Sequence, residues 1–260
     1  METATGTVYR LDRGYVQVSG PEAGEFLERM VSNEVVSLEP GEARPALLLT
    51  PKSRIVAPLL VVREGPESFL LLTEAALDEI VASTLLRARF AAKCEIEPRP
   101  YSGYLQLGAG KGIRNDDYGV EAHESWAEEE RDAAEPDEQL ERLRIEAGTP
   151  VWGRELDETI LPAEAGLDET HVSFTKGCYP GQEPIARLHY RGRPNRRLRV
   201  LEVAHARPGA EIVHEGKSVG RVTSAVAGRA LGYVRREVPD DAVLQIGAAE
   251  ARLHLPSPRP

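Results

Sequence analysis

The sequence predicts an α+β protein: an antiparallel sheet with helices on one face, followed by a small C-terminal β-barrel. Three observations carry this. Residues 14–107 run strand-helix-strand-strand-strand-helix-strand, an order that returns each strand beside its neighbour. From Arg197 onward only short strands follow, parted by turn pairs such as Pro208-Gly209 and Glu215-Gly216. The chain has 260 residues, 41% hydrophobic and 28% charged. That is enough to bury a core without disulfide or metal staples, and it excludes global disorder.

Each element has a local reason. Residues 14–18 (GYVQV) alternate and read as a strand. Ser19 and Pro21 mark a helix start, and Phe26, Leu27, Met30 and Val31 form its apolar stripe. Residues 45–49, 55–63 and 68–72 read as strands, broken at Thr50-Pro51-Lys52-Ser53 and Glu64-Gly65-Pro66-Glu67. Thr73 caps a second helix whose inner face is Leu77, Ile80, Val81, Leu85 and Ala88. Residues 94–97 and 101–107 return to strand. The acidic stretch 115–135 reads as an irregular connection. Pro136 opens a third helix through Ala147, stopped by Gly148 and Pro150. Residues 149–175 read as loop. The barrel strands are LRVLEV, EIVH, SVGRVTSAV, RALGYV and VLQI, about 65 residues in all, and the tail Pro256–Pro260 frays. The domains divide at 1–192 and 193–260.

Several function classes are excluded. The longest apolar run, Ile55–Val62, contains Pro58 and is too short for a membrane span. The N-terminal METATGTVYR has no apolar signal region, and two cysteines without a C-x-x-C pair argue against a disulfide framework or zinc site, which suits a reducing cytoplasm. The net charge of −10 argues against general or direct nucleic-acid binding. It is uneven: Asp116–Glu141 holds 12 acids and one arginine, whereas Arg187–Arg199 holds six arginines and no acid.

Candidate chemistry gathers in two clusters. In Lys176-Gly177-Cys178-Tyr179-Pro180-Gly181-Gln182-Glu183 a cysteine sits between glycine-containing turns, where its sulfur can be exposed. Lys176 and Arg187 would favour its thiolate. Burial as an ordinary packed thiol is the competing expectation. Cys94 alternates with Ala92 and Ile96 and belongs to the core. His171 and His189 with Cys178 make no recognised metal-ligand spacing. Gly108, Gly110 and Gly112 match no phosphate-loop pattern, and His123-Glu124 matches no metalloprotease pattern. The second cluster is Arg144-Ile145-Glu146-Ala147-Gly148-Thr149-Pro150-Val151-Trp152-Gly153, with Glu155, Asp157, Glu158 and Glu164 beyond. Trp152 could stack on a flat heterocycle while a glutamate pairs with its ring N–H groups. Equally, Trp152 could be a core anchor among solvated acids.

Together these stretches resemble the folate-binding T-protein (aminomethyltransferase) superfamily, and most closely its YgfZ branch. K-G-C-Y-x-G-Q-E at Lys176–Glu183 is similar to that branch's signature. R-I-E-A-G-x-P at Arg144–Pro150 and the Val18–Val35 stretch resemble the aminomethyltransferases. Gly216–Ser224 and Ala230–Val234 look like the superfamily's barrel. The resemblance implies a T-protein-like folate-binding fold, a ferredoxin-like sheet with helices plus the barrel, with subdomains ringing a central hole for tetrahydrofolate. It also implies that Cys178, with Lys176, Tyr179, Gln182 and Glu183, carries the chemistry, as thiolate donor, transient cluster ligand or redox partner. Folate contacts would come from Asn33, Glu146, Trp152, Glu158 and Arg187. A polyglutamylated form would meet the arginine strip.

One departure stands out. Aminomethyltransferases carry an Asp-Asp pair where this chain has Ala57-Pro58. Neither residue can steady a cationic amine, and the proline suggests a strand edge or bulge. The expected function is therefore a cytoplasmic folate-binding accessory protein. It would support iron–sulfur cluster assembly or repair and, through client enzymes, tRNA modification. The alternatives are a tetrahydrofolate-dependent aminomethyltransferase or demethylase, and a non-catalytic folate module. Expected partners are folate and the iron–sulfur machinery or its client enzymes, with no membrane.

Overall fold

A computed structural model describes residues 6–254; the tail Pro256–Pro260 lies outside them. Strands β2 (Arg13–Ser19), β3 (Ala43–Leu49), β4 (Ile55–Gly65), β5 (Ser68–Glu74) and β6 (Glu95–Pro98) form one antiparallel sheet in the order β3-β4-β5-β2-β6. Helices α1 (Ala23–Met30) and α2 (Asp78–Ala88) cover one face. Alternation along the strands sorts the side chains. Val16, Val18, Phe69 and Leu71 pack with Phe26, Leu27, Val81, Leu85 and Cys94. Tyr15, Leu70 and Leu72 point the other way, onto Ile113 and Trp126.

That second face is covered by a sheet the sequence does not announce. Strands β1 (Val8–Leu11), β7 (Ser102–Leu107), β8 (Ile113–Arg114) and β9 (Ala122–Ala127) pair in the order β1-β7-β9-β8. Residues 101–107 thus leave the first sheet, and the stretch 115–135 contains a strand. Its alternation is hidden because the inward position of β9 holds a charge. Glu124 is fully buried and accepts from Arg13 Nε and Nη2, each at 3.0 Å.

Three further details differ from the sequence reading. Thr73 stays in β5 and donates its hydroxyl to Pro58 O at 2.8 Å; a short 3-10 turn, Ala75–Leu77, leads into α2 instead. Ile80 faces solvent. Pro58 lies in an interior strand and not at an edge, in the stretch of β4 before its pairing with β5 begins at Leu60, while the expected bulge is found beside it, where the register of β4 against β3 skips Val56. Helix α3 (Glu138–Glu146) is capped by the Asp137 carboxylate, which accepts from Leu140 N, and Gly148 takes φ +70° past its end, the usual glycine stop.

The signature stretch runs into a fourth helix, α4 (Gln182–Arg191). Only Ile185 is buried in it, so no apolar stripe betrays it. Its sequence signals are the acid and proline of the first turn and the bases of the last. The barrel closes with six strands in the order β10 (Arg196–Val203), β13 (Arg229–Arg235), β12 (Lys217–Val226), β11 (Glu211–His214), β14 (Val243–Ile246) and β15 (Ala249–His254). The final strand, β15, pairs with β10 and leaves no open edge. Among the described residues no helix is long and apolar enough to cross a membrane.

Barrel closure requires a backbone contact at Gly220, where an added Cβ would stand 2.1 Å from Tyr233 O. Gly220→Ala should therefore destabilise the protein by about 1–3 kcal/mol, read by chemical denaturation. Gly177→Ala has open space and should stay within about 0.5 kcal/mol of wild type.

Candidate functional site

A cavity of about 720 Å³ lies where the lobes meet. One wall is sheet: Pro58, Leu59 and Leu60 of β4 with Leu72 and Glu74 of β5. Arg13, Asn115, Asp117 and Tyr118 close one side, Arg144, Thr149, Val151 and Leu156 another, and Pro45, Leu167, Thr170 and His171 the rim. The volume suits a ligand of drug-like size, and beside the apolar sheet wall the lining is strongly polar, with Arg13, Arg44, Glu74, Asp117 and Arg144 among it.

Charges in the wall are mostly committed to each other. Arg13 bonds Glu124 and lies 3.3 Å from Asp117. Arg144 is buried between Glu141 and Glu155, at 2.7 and 3.2 Å. Glu155 also accepts from Ser224 Oγ at 2.6 Å, and its carbonyl from Tyr233 OH at 2.9 Å, which ties the loop to the barrel. Glu74 differs. Burial pushes its carboxyl above the usual range, and its hydrogen bond comes from Trp152 N at 3.4 Å.

The residues nominated from sequence scatter around this cavity. Glu146 pairs with Arg142 and Arg229, each at 3.5 Å, and does not line it. The α3 register turns Arg144 inward, and Glu146 meets the barrel's Arg229 instead. Trp152 is half-buried and packs between two core clusters, so its ring anchors the loop while its backbone serves Glu74. Glu158 is exposed away from the cavity. Asn33 acts on the rim, donating to Pro45 O and Thr170 O at 2.8 and 3.2 Å. Arg187 is exposed on α4, and it too is not a lining residue. Sequence reasoning missed Glu74, Arg13 and Asn115. Glu74 was legible as an acid ending an apolar strand.

The signature stretch is a clasp on the N-terminal lobe. Lys176 Nζ donates to the carbonyls of Glu28, Val31 and Asn33 at 2.7, 3.0 and 2.7 Å and lies 3.2 Å from the Glu28 carboxylate. These oxygens belong to the last turn of α1 and its exit, where carbonyls lack helical partners. Lys176 thus caps α1 rather than activating Cys178, and burial pulls its ammonium pKa down against the pull of Glu28. Tyr179 is buried beneath it, ring centroid 5.6 Å from Nζ, its hydroxyl pushed up to about 12 by burial. Gly181 takes φ +83°, and its carbonyl accepts from Ser53 Oγ at 2.6 Å. Gln182 and Glu183 open α4. Cys178 itself is exposed, whereas Cys94 is buried with its thiol pushed up by that burial. His189 stacks on Phe174 at 3.9 Å and His171 lines the cavity. Among the described residues no group of three or more His, Cys, Asp or Glu is arranged to hold a metal.

A second cleft of about 630 Å³ is lined by Arg193, Arg197, Arg199, Arg235 and Arg236, with acids Asp168, Glu169, Glu237 and Asp240. Arg199 pairs with Asp240 and Arg235 with Glu237. Residues 167–171 form the wall between the two hollows: Leu167, Thr170 and His171 face the cavity, Asp168 and Glu169 the cleft. Arg196 is tied to Glu164 at 3.0 Å.

Lys176→Met should cost about 3 kcal/mol of stability, the scale for removing one partner of a buried pair. Cys178→Ser, at an exposed position, should leave the denaturation midpoint within about 0.5 kcal/mol of wild type.

Comparison with known proteins agrees with this architecture. Residues 12–103 match the GCVT N-terminal domain family, and residues 195–260 match the CAF17 C-terminal beta-barrel domain family. An uncharacterized Haemophilus influenzae protein is 26% identical over 226 residues, 81% of each chain. A Bacillus subtilis aminomethyltransferase is 23% identical over 283 aligned residues, covering 89% of this chain and 78% of that protein. A chloroplastic Arabidopsis thaliana protein named as a transferase is 40% identical over 104 residues, only 24% of its length. The crystal structure of glycine cleavage system aminomethyltransferase T from Bartonella henselae superposes with TM-score 0.81 at 19% identity, over 97% of this chain and 86% of that one. A GCVT N-terminal domain and a CAF17 C-terminal beta-barrel domain thus lie in one chain whose overall fold is that of aminomethyltransferase T.

Proposed function

We propose that this is a reduced-folate-binding accessory protein that supports iron–sulfur cluster assembly or repair in the cytoplasm, and through client enzymes tRNA modification. The observation that carries the folate reading is the central cavity, set among lobes that match the aminomethyltransferase architecture. Its apolar sheet wall would take one face of a pterin, and Glu74, with one carboxylate oxygen lacking a hydrogen-bond partner among the described residues, would take the ring's N–H edge. When bound, tetrahydrofolate supplies a carrier for one-carbon units. The chain's own residues orient it and shield it from water.

Aminomethyl transfer is the weaker reading. Pro58 lines the cavity with no carboxylate, and Ala57 beside it is buried, so neither can stabilise an iminium-like charge there. Cys178 is the group we assign to cluster chemistry, on a surface apart from the cavity.

The arginine cleft suits the carboxylates of a polyglutamyl tail leaving the cavity over Thr170 and His171. Arg193, Arg197 and Arg236 would meet it, rather than Arg187. Calorimetry should show saturable tetrahydrofolate binding, tighter for the pentaglutamate, with the difference shrinking as salt rises. No heat at millimolar ligand would sink the folate reading. Equal affinities at low salt, or no change in Arg193→Ala/Arg197→Ala, would sink the tail site alone.

Cys178→Ser should keep folate affinity and the fold yet fail to support iron–sulfur enzymes in a cell lacking its own family member. Full complementation by this variant would rule out a thiol mechanism and leave the loop a purely structural clasp.

A further inference from the structure

We propose that the turn closing α2, with Phe90 projecting from it and Arg87, Arg89 and Lys93 around it, is a docking point for an anionic lipid bilayer. The ring enters the headgroup layer, and the cations meet the lipid phosphates. This surface and its ligand are independent of the folate reading.

Phe90 stands in a conformation that phenylalanine disfavours. Arg89 ends the helical backbone at φ −64°, and Phe90 follows at φ +45°. Ala92 N closes the turn onto Arg89 O at 2.9 Å. This left-handed position past a helix end usually holds glycine or asparagine, and a bulky side chain there is strained. Strain persists where surrounding structure holds it in place. Here the side chain gains almost nothing in return, because Phe90 is 91% exposed. A scattered exposed leucine is ordinary on a protein surface. A strained phenylalanine standing in water is not, and its contacts are to be sought outside the chain.

The surroundings select the contact. Leu86, one turn earlier on the same side, is half-exposed, and Ala91 is exposed. From Ile80 to Cys94 the chain holds Arg87, Arg89 and Lys93 and no acid. Arg87 and Lys93 are exposed; Arg89 is half-buried, and its Nη1 donates to Cys94 O at 3.1 Å, which ties the turn down. Glu22, at the start of α1, accepts from Lys93 N at 3.1 Å, and Glu95 follows on β6. Asp78 and Glu79 lie at the opposite end of α2, roughly 15 Å away along its axis. The acidic stretch that begins at Asp116 includes β9, in the sheet that covers the other face of the first sheet. The main concentration of negative charge therefore lies across the sheet from this turn.

Area decides for lipid over protein. A stable protein interface buries about 800 Å² on each partner around an anchor seated in a pocket. One ring, part of a leucine and an alanine fall well short of that. A bilayer surface needs no such area and no match of shape. It accommodates an aromatic ring at headgroup level, and its anionic lipids attract Lys and Arg beside that ring. The long stems of Arg87 and Lys93 can lie along the apolar layer with their charges in water. The chain rests on the membrane and does not cross it. Hydropathy, the ground for expecting no membrane, registers spans and not a single projecting turn.

The test sediments the full chain with vesicles of phosphatidylglycerol and phosphatidylcholine in equal parts, and with vesicles of phosphatidylcholine alone. Wild type should partition onto the anionic vesicles about tenfold more strongly than onto the neutral ones, and about 0.5 M salt should remove most of the difference. Phe90→Gly suits the left-handed backbone. It should keep or raise the denaturation midpoint and yet weaken partitioning about tenfold. Arg87→Glu/Lys93→Glu should weaken it by a similar factor, and Phe90→Trp should retain it. Arg187→Ala/Arg191→Ala, on α4, should leave it unchanged. If wild type does not sediment with anionic vesicles at millimolar lipid, if Phe90→Gly sediments as wild type does, or if the α4 variant loses the binding, the assignment is overturned. A wild-type dimer that Phe90→Gly converts to monomer in ultracentrifugation would overturn it in favour of a second copy of the chain. Failure of Phe90→Gly to complement a cell lacking its own family member, with wild type indifferent to vesicles, would overturn it in favour of an acidic protein.

Discussion

Three parts of the molecule meet at the buried guanidinium of Arg144. It draws together α3 through Glu141, the following loop through Glu155 and Thr149 O, and, through the Glu155 contacts to Ser224 and Tyr233, the barrel. Arg144 is 4% exposed and Glu155 1%. A buried pair of this kind adds little net stability over an apolar substitute, because desolvation offsets most of the attraction. What it imposes is geometry. An unpaired charge at either position would cost several kcal/mol, so arrangements of barrel, loop and helix that separate Arg144 from Glu155 are disfavoured. The cavity is the space that the observed arrangement leaves.

The sequence revealed those parts of the fold where burial follows hydrophobicity. Strands β2 to β5 alternate cleanly, and the barrel strands are punctuated by glycine turns. It failed where a charge takes an inward position. Strand β9 buries Glu124, so its pattern is polar, and the sheet covering Tyr15 and Leu70 stayed hidden. Helix α4 failed for the opposite reason, since it buries one residue and has almost no inner face to display. At the candidate site, the motifs located the right segments but assigned the wrong atoms. Glu146 lies in the R-I-E-A-G stretch, yet the helix turns Arg144 inward. Trp152 donates its backbone N–H to Glu74 of the cavity wall while its ring packs against two core clusters. Glu146 is claimed by the barrel's Arg229 and the Trp152 N–H by Glu74, contacts far apart in sequence that local pattern cannot carry.

Cavity and thiol occupy different places. Tyr179, next to Cys178, packs in the same cluster as Leu156 and Leu167, which line the cavity, so a single rigid body links the two without bringing the sulfur into the pocket. The cleft follows the same plan, divided from the cavity by five residues. The cavity, the arginine cleft and the exposed thiol lie on three surfaces of one packed joint. Substitutions at each can therefore be expected to separate experimentally.

The Lys176 contact with the end of α1 also constrains when the protein can become complete. Ser32 Oγ donates to His171 O at 2.6 Å, and Ser173 N donates to Ser32 O at 2.9 Å, so residues 31–33 are finished by a segment about 140 positions downstream. During synthesis the first lobe emerges with the carbonyls at its helix end unmatched until residues 171–176 have left the ribosome. Contacts of such sequence separation slow folding and lengthen the life of partly assembled states. The signature loop is thus a late fastener, and a nascent chain stalled before it would be a substrate for chaperones rather than a free-standing domain.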